Sequence, residues 1–304
     1  MPAFDKTLLH PRYFTTWLGL GLLFVFARIG RPARRGLARA AAWVFMRVNP
    51  RRTDIARRNL ELCYPNQTRE QREQWLQRYF YLYFLALFEL AVIRRCPAGA
   101  SGLIAQTRIE PEWVFTELQQ NPGVILTLHS VGLEWAGAVL GEYVPGSAIY
   151  KPFAKNAVLD WWFTRARTRY GTLAVPRAQG MRPHIRALRQ GRSFFYIADE
   201  DLGPEHSVFA PFFEQSKATL PLAGRVARLA RVPIYPVIGL IDEQYGYRLV
   251  FSRPLCLLPG NDDQQEAEAI NQIMETLIEH DPAQFMWSLK FFKTRPPGTP
   301  DRYR

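Results

Sequence analysis

The chain has 304 residues, of which 48% are hydrophobic, and this composition excludes a disordered or low-complexity protein. Its formal net charge of +12 favours anionic partners, whether nucleic acid, lipid headgroups or acidic proteins. The three cysteines, Cys63, Cys96 and Cys256, lie far apart and form no C-x-x-C pair, which indicates free thiols in a reducing compartment rather than a zinc site.

An uncharged, largely apolar segment occupies residues 13–27, between Arg12 and Arg28. As a helix it is shorter than the ~30 Å hydrocarbon core of a bilayer, unless a few flanking residues extend it. A signal peptide or a buried core helix would give the same pattern. The A-x-A sequence at 38–40 lies in an arginine-rich stretch, however, which is unfavourable for cleavage. We therefore expect a retained membrane anchor within residues 1–30.

A basic belt follows the apolar segment. It consists of Arg28, Arg31, Arg34, Arg35, Arg39, Arg47, Arg51, Arg52, Arg57 and Arg58. Because positive flanking charge stays on the cytoplasmic side of a membrane, the belt predicts that most of the chain lies in the cytoplasm and contacts anionic headgroups. A nucleic-acid patch is the competing interpretation, but it does not explain why the belt adjoins an apolar segment.

Residues 31–100 are predicted to form a basic and aromatic helical region that packs on the catalytic part. Residues 32–62 have a basic helical pattern, and Thr68 and Gln71 fit a capping box that opens a second long helix, ending near Arg95. The second half of that helix is apolar on most faces, so we expect it to be buried or to lie against a bilayer.

Residues 101–304 alternate between short apolar runs and helical patterns. Strands are predicted at 123–130, 147–152, 171–175, 193–200 and 232–240, and helices at 131–141, 155–170, 181–190, 218–231 and 263–280. Near-continuous apolar strands in this alternation predict an α/β domain with a central mixed sheet flanked by helices. Neither a G-x-G-x-x-G nor a G-x-x-x-x-G-K-[ST] motif is present, so no motif indicates nucleotide binding.

His129 is the histidine that follows a predicted strand and precedes a predicted helix, with Glu134 five residues further on. Ligands of α/β sheets bind at the carboxyl ends of the strands. A carboxylate that accepts a hydrogen bond from one imidazole nitrogen leaves the other free to take a proton from a hydroxyl. A structural histidine at a strand end is the alternative on spacing alone.

The H-x-x-x-x-D/E pattern after a strand is typical of glycerolipid-type acyltransferases, and further motifs narrow the likeness. These are LLHPRYFTTWLGLG (8–21), ARRNLELCYPN (56–66), YKP (150–152), DED-x-GP (199–204) with SVFAPFF (207–213), and FKTRPPGTPDRY (292–303). In this order they resemble the lipid A biosynthesis lauroyltransferase group, the late or secondary acyltransferases, from Leu8 to Tyr303.

The resemblance implies a glycerolipid-acyltransferase-like fold and an O-acyltransferase on the cytoplasmic face of the bacterial inner membrane. It implies acyl carrier protein as the donor, and a hydroxyacyl chain on a Kdo-bearing lipid A precursor as the acceptor, with no metal or other cofactor and no nucleic acid. Two alternatives stay open: a membrane acyltransferase with another glycolipid or lysophospholipid acceptor, and a basic binding protein without catalysis.

Within this resemblance, His129 is expected to be the general base, with Glu134 orienting it. Backbone N–H groups at 130–132 would stabilise the oxyanion. Arg167 matches an arginine in the family's second block and is expected to bind a phosphate, with Arg169 and Lys151 as further substrate-binding candidates. A solvated helix face is the alternative for the arginines.

Asp199 and Asp201 complete the predicted substrate-binding set. Three consecutive acids at 199–201 invite a metal interpretation, but the family implies none, and these two side chains are expected to hold arginines or cap a helix near the site. The chain also departs from the family, which often has His-Arg-Arg-Phe before KTRP where this sequence has residues 289–292 as Leu-Lys-Phe-Phe. This puts a substrate-binding role of the C-terminal block in doubt.

Overall fold

The computed structural model describes residues 3–244, 246–256, 258 and 262–303. Four helices lead into the sheet: α1 (Phe14–Phe26), α2 (Arg31–Val48), α3 (Pro50–Cys63) and α4 (Arg69–Arg95). Pro50 sits at the first turn of α3, where its missing N–H costs nothing, and the Asn49 side chain caps that helix. The Thr68 hydroxyl accepts from the Gln71 N–H at 3.2 Å, so the predicted cap begins α4.

A seven-stranded sheet forms the centre of the molecule, in the order β1-β9-β8-β2-β5-β3-β4. Its strands are β1 (Thr107–Glu110), β2 (Val124–Thr127), β3 (Gly146–Tyr150), β4 (Leu173–Pro176), β5 (Ser193–Ile197), β8 (Ile234–Asp242) and β9 (Gly246–Phe251). Neighbouring strands are parallel except β8 and β9, which are antiparallel. The predicted α/β class with a mixed sheet is confirmed.

Six further helices and a hairpin surround the sheet. The helices are α5 (Glu112–Gln120), α6 (Leu133–Tyr143), α7 (Ala157–Arg167), α8 (Arg182–Arg189), α9 (Ala223–Ala230) and α10 (Asp263–Glu279). The hairpin pairs β6 (Val208–Phe212) with β7 (Gln215–Thr219). β1, α5, the hairpin and β9 were not predicted. The hairpin also shortens the helix predicted at 218–231, because Thr219 ends a strand.

Helix α4 packs at the centre of the N-terminal helices, against α1, α2, α3 and α6. Within the described parts of the chain it is the one helix long and apolar enough to cross a membrane, yet half of its most apolar window is buried inside the protein. Leu76, Leu82 and Leu85 of α4 belong to the same buried cluster as the strands of the sheet. The helical lead-in and the sheet therefore share one core.

The segment predicted as the anchor forms α1, which has 13 residues and is about 20 Å long. One face packs on α4 and α7. The outward apolar side chains of this helix are Phe14, Leu18, Leu22 and Val25, and those of α2 are Leu37, Trp43, Val44 and Val48, each at least 43% exposed. These eight exposed side chains are called the apolar face below, and clustered exposed apolar groups are typical of surfaces that bind a membrane or another partner.

Some arginines of the basic belt make ion pairs and hydrogen bonds within the protein. Arg31 and Arg34 lie 3.5 and 3.3 Å from the carboxylate of Glu89, a buried residue of α4. Arg52 donates to the Ser288 carbonyl at 3.0 Å. These arginines fasten α2 and α3 to the rest of the molecule, so the belt is not a uniform headgroup-binding surface.

Candidate active site

His129 lies two residues beyond β2, at the carboxyl end of a central strand. All four residues of β2 are buried, because β5 and β8 flank the strand on either side and helices cover the sheet. The His129 side chain itself is 28% exposed. The structure has this histidine where it was predicted, at the end of a strand and before a helix.

Asp199 is the partner of His129, with 2.9 Å between Nδ1 and Oδ1. Asp199 lies two residues beyond β5, the parallel neighbour of β2, so the two side chains meet at the same edge of the sheet. The carboxylate is fully buried. An ionised Asp199 accepts from Nδ1–H, and the other ring nitrogen, Nε2, is then the one that can take a proton.

The charges around this pair shift both pKa values. Burial alone would lower the pKa of His129, but the Asp199 carboxylate outweighs it, with Glu200 and Glu134 adding to the effect, and the net pKa is raised above 6.5. Burial would raise the pKa of Asp199, but His129 and Lys217 lower it below 3.8. Asp199 is therefore held ionised, and its charge stabilises the His129 imidazolium once the ring has taken up a proton.

Glu134 does not orient His129, contrary to the prediction. It lies in the first turn of α6, and its carboxylate binds the guanidinium of Arg167, with 3.4 Å from Nε to Oε2 and a second, shorter contact. Glu134 raises the pKa of Arg167, whose guanidinium also lies 5.3 Å from the ring centre of Phe163. Glu134 acts on His129 through its charge, while Asp199 makes the hydrogen bond.

The loop that carries His129 is packed tightly on β8. The Ser130 hydroxyl donates to the Gly239 carbonyl at 2.6 Å. A Cβ on Gly132 would lie 2.6 Å from that same carbonyl oxygen, so no larger residue fits there without a backbone shift. The start of α6 is therefore held directly against the sheet beside the histidine.

A C-terminal segment, residues 284–289, holds the same loop from the other side. Met286 donates its N–H to the His129 carbonyl at 2.9 Å, and Val131 donates to the Gln284 carbonyl at 2.9 Å. Asn59 of α3 in turn donates to the carbonyls of Trp287 and Leu289, at 2.6 and 2.7 Å. The C-terminal block thus holds the loop that carries His129, and this contact does not depend on a substrate-binding role of the block.

The predicted oxyanion donors are only partly available. The Ser130 N–H donates to the Leu128 carbonyl, and the Val131 N–H is used by Gln284. Gly132, the N-terminal cap of α6, remains a candidate donor together with the first turn of that helix.

The other predicted substrate-binding residues have mixed positions. Lys151 is exposed just beyond β3. Arg169 donates to the carbonyls of Ile93, Arg94 and Cys96, at 3.2, 2.9 and 2.8 Å, so it caps the end of α4 rather than facing a substrate.

The prediction for the two aspartates is wrong in its details. Asp201 is buried and accepts the N–H groups of Gly203 and Thr294, at 3.1 and 2.8 Å. Neither it nor Asp199 holds an arginine in the described structure, and both are too buried to bind a substrate directly. The signal for Asp199 lay in its position after an apolar strand, but which strand lies beside β2 cannot be read from spacing.

Comparison with known proteins gives the family. The model of the bacterial lipid A biosynthesis acyltransferases matches residues 1–294. A lipid A biosynthesis lauroyltransferase of Escherichia coli K12 is 31% identical over 100% of this chain and 99% of its own length. A palmitoleoyltransferase and a myristoyltransferase of lipid A biosynthesis from the same strain are 32% and 28% identical, covering 99% and 100% of this chain and 98% and 94% of their own lengths.

The chain belongs to the bacterial lipid A biosynthesis acyltransferase family. It is an acyltransferase.

Proposed function

We propose that the protein transfers a fatty acyl chain from acyl carrier protein to the hydroxyl of a hydroxyacyl chain on a Kdo-bearing lipid A precursor. The observation that carries this proposal is the His129–Asp199 hydrogen bond of 2.9 Å at the carboxyl end of the sheet, in a chain of this family. The pair supplies an oriented base, and a hydroxyl acceptor is the group that needs one.

In the proposed reaction, His129 Nε2 takes the proton of the acceptor hydroxyl while the oxygen attacks the thioester carbonyl. Asp199 stabilises the imidazolium that forms. As the tetrahedral intermediate collapses, the new C–O bond is kept, the C–S bond breaks, and the thiolate leaving group takes the proton from His129. Each step uses side chains and backbone donors, so we expect full activity in the presence of a chelator.

The Glu134–Arg167 ion pair places charged side chains near the proposed base. Arg167 is fixed by Glu134 and retains a positive charge, and Lys151 is exposed just beyond β3, two strands from β2 in the sheet. We infer that these cations bind a phosphate or carboxylate of the acceptor, since a guanidinium suits both.

A basic cleft supports an acidic carrier protein as the donor. Its volume is about 600 Å³, and it is lined by Pro50, Arg51, Asp54, Ile55, Arg57, Arg58, Glu61, Lys290, Arg302 and Tyr303. Five basic side chains face two acidic ones there. Lys290 of the cleft directly follows the C-terminal segment that holds the His129 loop. A donor bound in the cleft would therefore contact a residue next to that segment.

Charge reversal tests the donor. The double variant Arg51→Glu, Lys290→Glu should raise KM for the acyl carrier protein thioester about 10-fold, because electrostatic attraction to the acidic partner is lost, and leave KM for a small acyl-pantetheine thioester unchanged. Arg253→Glu, an exposed arginine outside the cleft, is the control. Equal KM changes with both donors would contradict docking at the cleft.

The apolar face supports attachment to the cytoplasmic face of the inner membrane. Because α1 is too short to span and packs on the protein with its other side, we infer that it lies in the interface. Leu18→Asp with Leu22→Asp should abolish flotation with anionic vesicles. Leu229→Asp, which is 59% exposed on α9, should not, and loss in both variants would contradict this surface.

The activity itself is tested with purified protein, acyl carrier protein thioesters and a tetra-acylated Kdo-bearing precursor. Mass spectrometry should show one added acyl chain, and His129→Ala should abolish the addition. Acylation of a lysophospholipid or another glycolipid in place of the precursor would refute the proposed acceptor. Full activity of His129→Ala would refute the mechanism.

A further inference from the structure

Lys217, on β7, is fully buried, although no step proposed above uses it. Lysine is almost never fully buried without a compensating charge. The Nζ atom lies 3.5 Å from the Ala218 carbonyl and from the Thr219 hydroxyl, which are long contacts for an ammonium. Local hydrogen bonds therefore do not account for an ammonium in the interior.

The charged groups that act on Lys217 are Asp199 and Asp201, both buried beyond β5, and in the described structure neither carboxylate lies within 4.0 Å of Nζ, so they act at longer range. Two uncharged groups also lie close: the ring centre of Phe212 is 5.8 Å from Nζ, and Asn271 of α10 binds the Thr219 hydroxyl. Burial lowers the pKa of Lys217 to about 8 although both aspartates oppose this, so the ammonium is charged at neutral pH.

Asp199 needs such a neighbour. Its Oδ1 meets His129, but its Oδ2 is buried without a hydrogen-bond partner in the described structure. A buried carboxylate with an unpaired oxygen tends to take up a proton. A protonated Asp199 would donate to Nδ1 of His129, and the ring would then carry its own proton on Nε2, where it could not accept one from a hydroxyl.

We propose that Lys217 is a positioning residue whose buried ammonium keeps Asp199 ionised and thereby holds His129 in the tautomer with Nδ1–H. This inference rests on the proposed role of His129 as the base. Lys217 acts through Asp199 and does not touch the substrate.

The test is Lys217→Met, which keeps the length of the side chain and removes its charge. We expect kcat to fall about 10- to 100-fold while KM changes less than 2-fold. The rising limb of kcat against pH should move to higher pH, because loss of the nearby positive charge favours the protonated form of the coupled His129–Asp199 pair. The melting temperature should be unchanged or higher, since an apolar side chain often replaces a buried charge without loss of stability. Lys155→Met, at an exposed lysine, is the control for the same chemical change.

A double-mutant cycle separates positioning from a structural role. In an Asp199→Asn background the charge of Lys217 has no carboxylate at His129 to stabilise, so Lys217→Met should cost less than 3-fold in kcat there. Independent effects of the two substitutions, or a Lys217→Met enzyme with wild-type kcat and pH profile, would overturn the inference.

A measurement on the unmodified chain covers the case in which Lys217→Met does not fold. The ring ¹⁵N shifts of His129, above its pKa, should report the Nδ1–H tautomer, and an Nε2–H tautomer would overturn the proposal. Failure of the proposed function is distinguishable, because then His129→Ala itself would remain active.

Discussion

Asp199→Asn is the sharpest test of the site, because it removes one charge and almost no volume. Asp199 is fully buried and its Oδ1 lies 2.9 Å from Nδ1 of His129. Two unit charges about 4 Å apart attract by about 4 kcal/mol at an effective dielectric constant of about 20. That attraction forms only when His129 takes up the proton, so the transition state loses it, which corresponds to about 10³-fold in kcat.

The asparagine also presents an amide that can donate to Nδ1 and select the wrong tautomer, which adds to the loss. The assay is single-turnover acyl transfer from the carrier protein thioester, so that donor binding and product release do not hide the chemical step. Asp201→Asn is the matched control, since that carboxylate accepts backbone N–H groups instead of a histidine. A loss below 10-fold in Asp199→Asn would refute the assignment of Asp199 as the partner of the base.

Three further predictions follow from the geometry. The pKa of His129 is raised and the base must be unprotonated, so kcat/KM should rise with pH around a midpoint above 6.5. In Asp199→Asn this midpoint should fall, because burial then lowers the pKa of His129 without the opposing carboxylate. An unchanged midpoint would contradict the coupling of the two side chains. Glu134→Gln and Arg167→Ala should each lower activity strongly, and the double variant should lose no more than the worse single one, because the two side chains act as a pair; additive losses would contradict this. Gly132→Ala should lower both kcat and the free energy of unfolding, the latter by about 1–3 kcal/mol in urea titration. Gly137→Ala in α6 is the control and should lower neither, because nothing lies within 4 Å of the added Cβ. Equal effects of the two substitutions would contradict tight packing of the loop.

The five predicted strands form a continuous run of the sheet, from β8 to the edge strand β4, since their apolar runs are long enough to dominate the local pattern. β1 and β9 were missed because they carry charged residues, Arg108 and Arg248, that pair with Glu110 near the edge of the sheet. The β6–β7 hairpin lacks clear alternation, since the fully buried Lys217 occupies a position that a pattern assigns to the surface.

The site could be predicted as far as its local part. His129 follows an apolar strand, and both the strand and the histidine at its end can be recognised from adjacent residues. Its partner is not: Glu134 is close in sequence, whereas Asp199 is 70 residues away and becomes a neighbour only because β5 lies beside β2. Strand order is decided by tertiary packing, so spacing alone favours the wrong carboxylate.

Strand order also explains why the segments that carry the family resemblance are spread along the chain. Asn59 in ARRNLELCYPN binds the C-terminal segment that holds the His129 loop, and its side-chain oxygen accepts from the Tyr303 hydroxyl at 2.7 Å. The DED-x-GP stretch supplies Asp199 to the base and, through Asp201, binds the backbone of Thr294 in the last motif. These segments contact one another next to the loop that carries His129. A base fixed from several sides keeps its geometry through the reaction, which is the condition for electrostatic stabilisation without reorganisation.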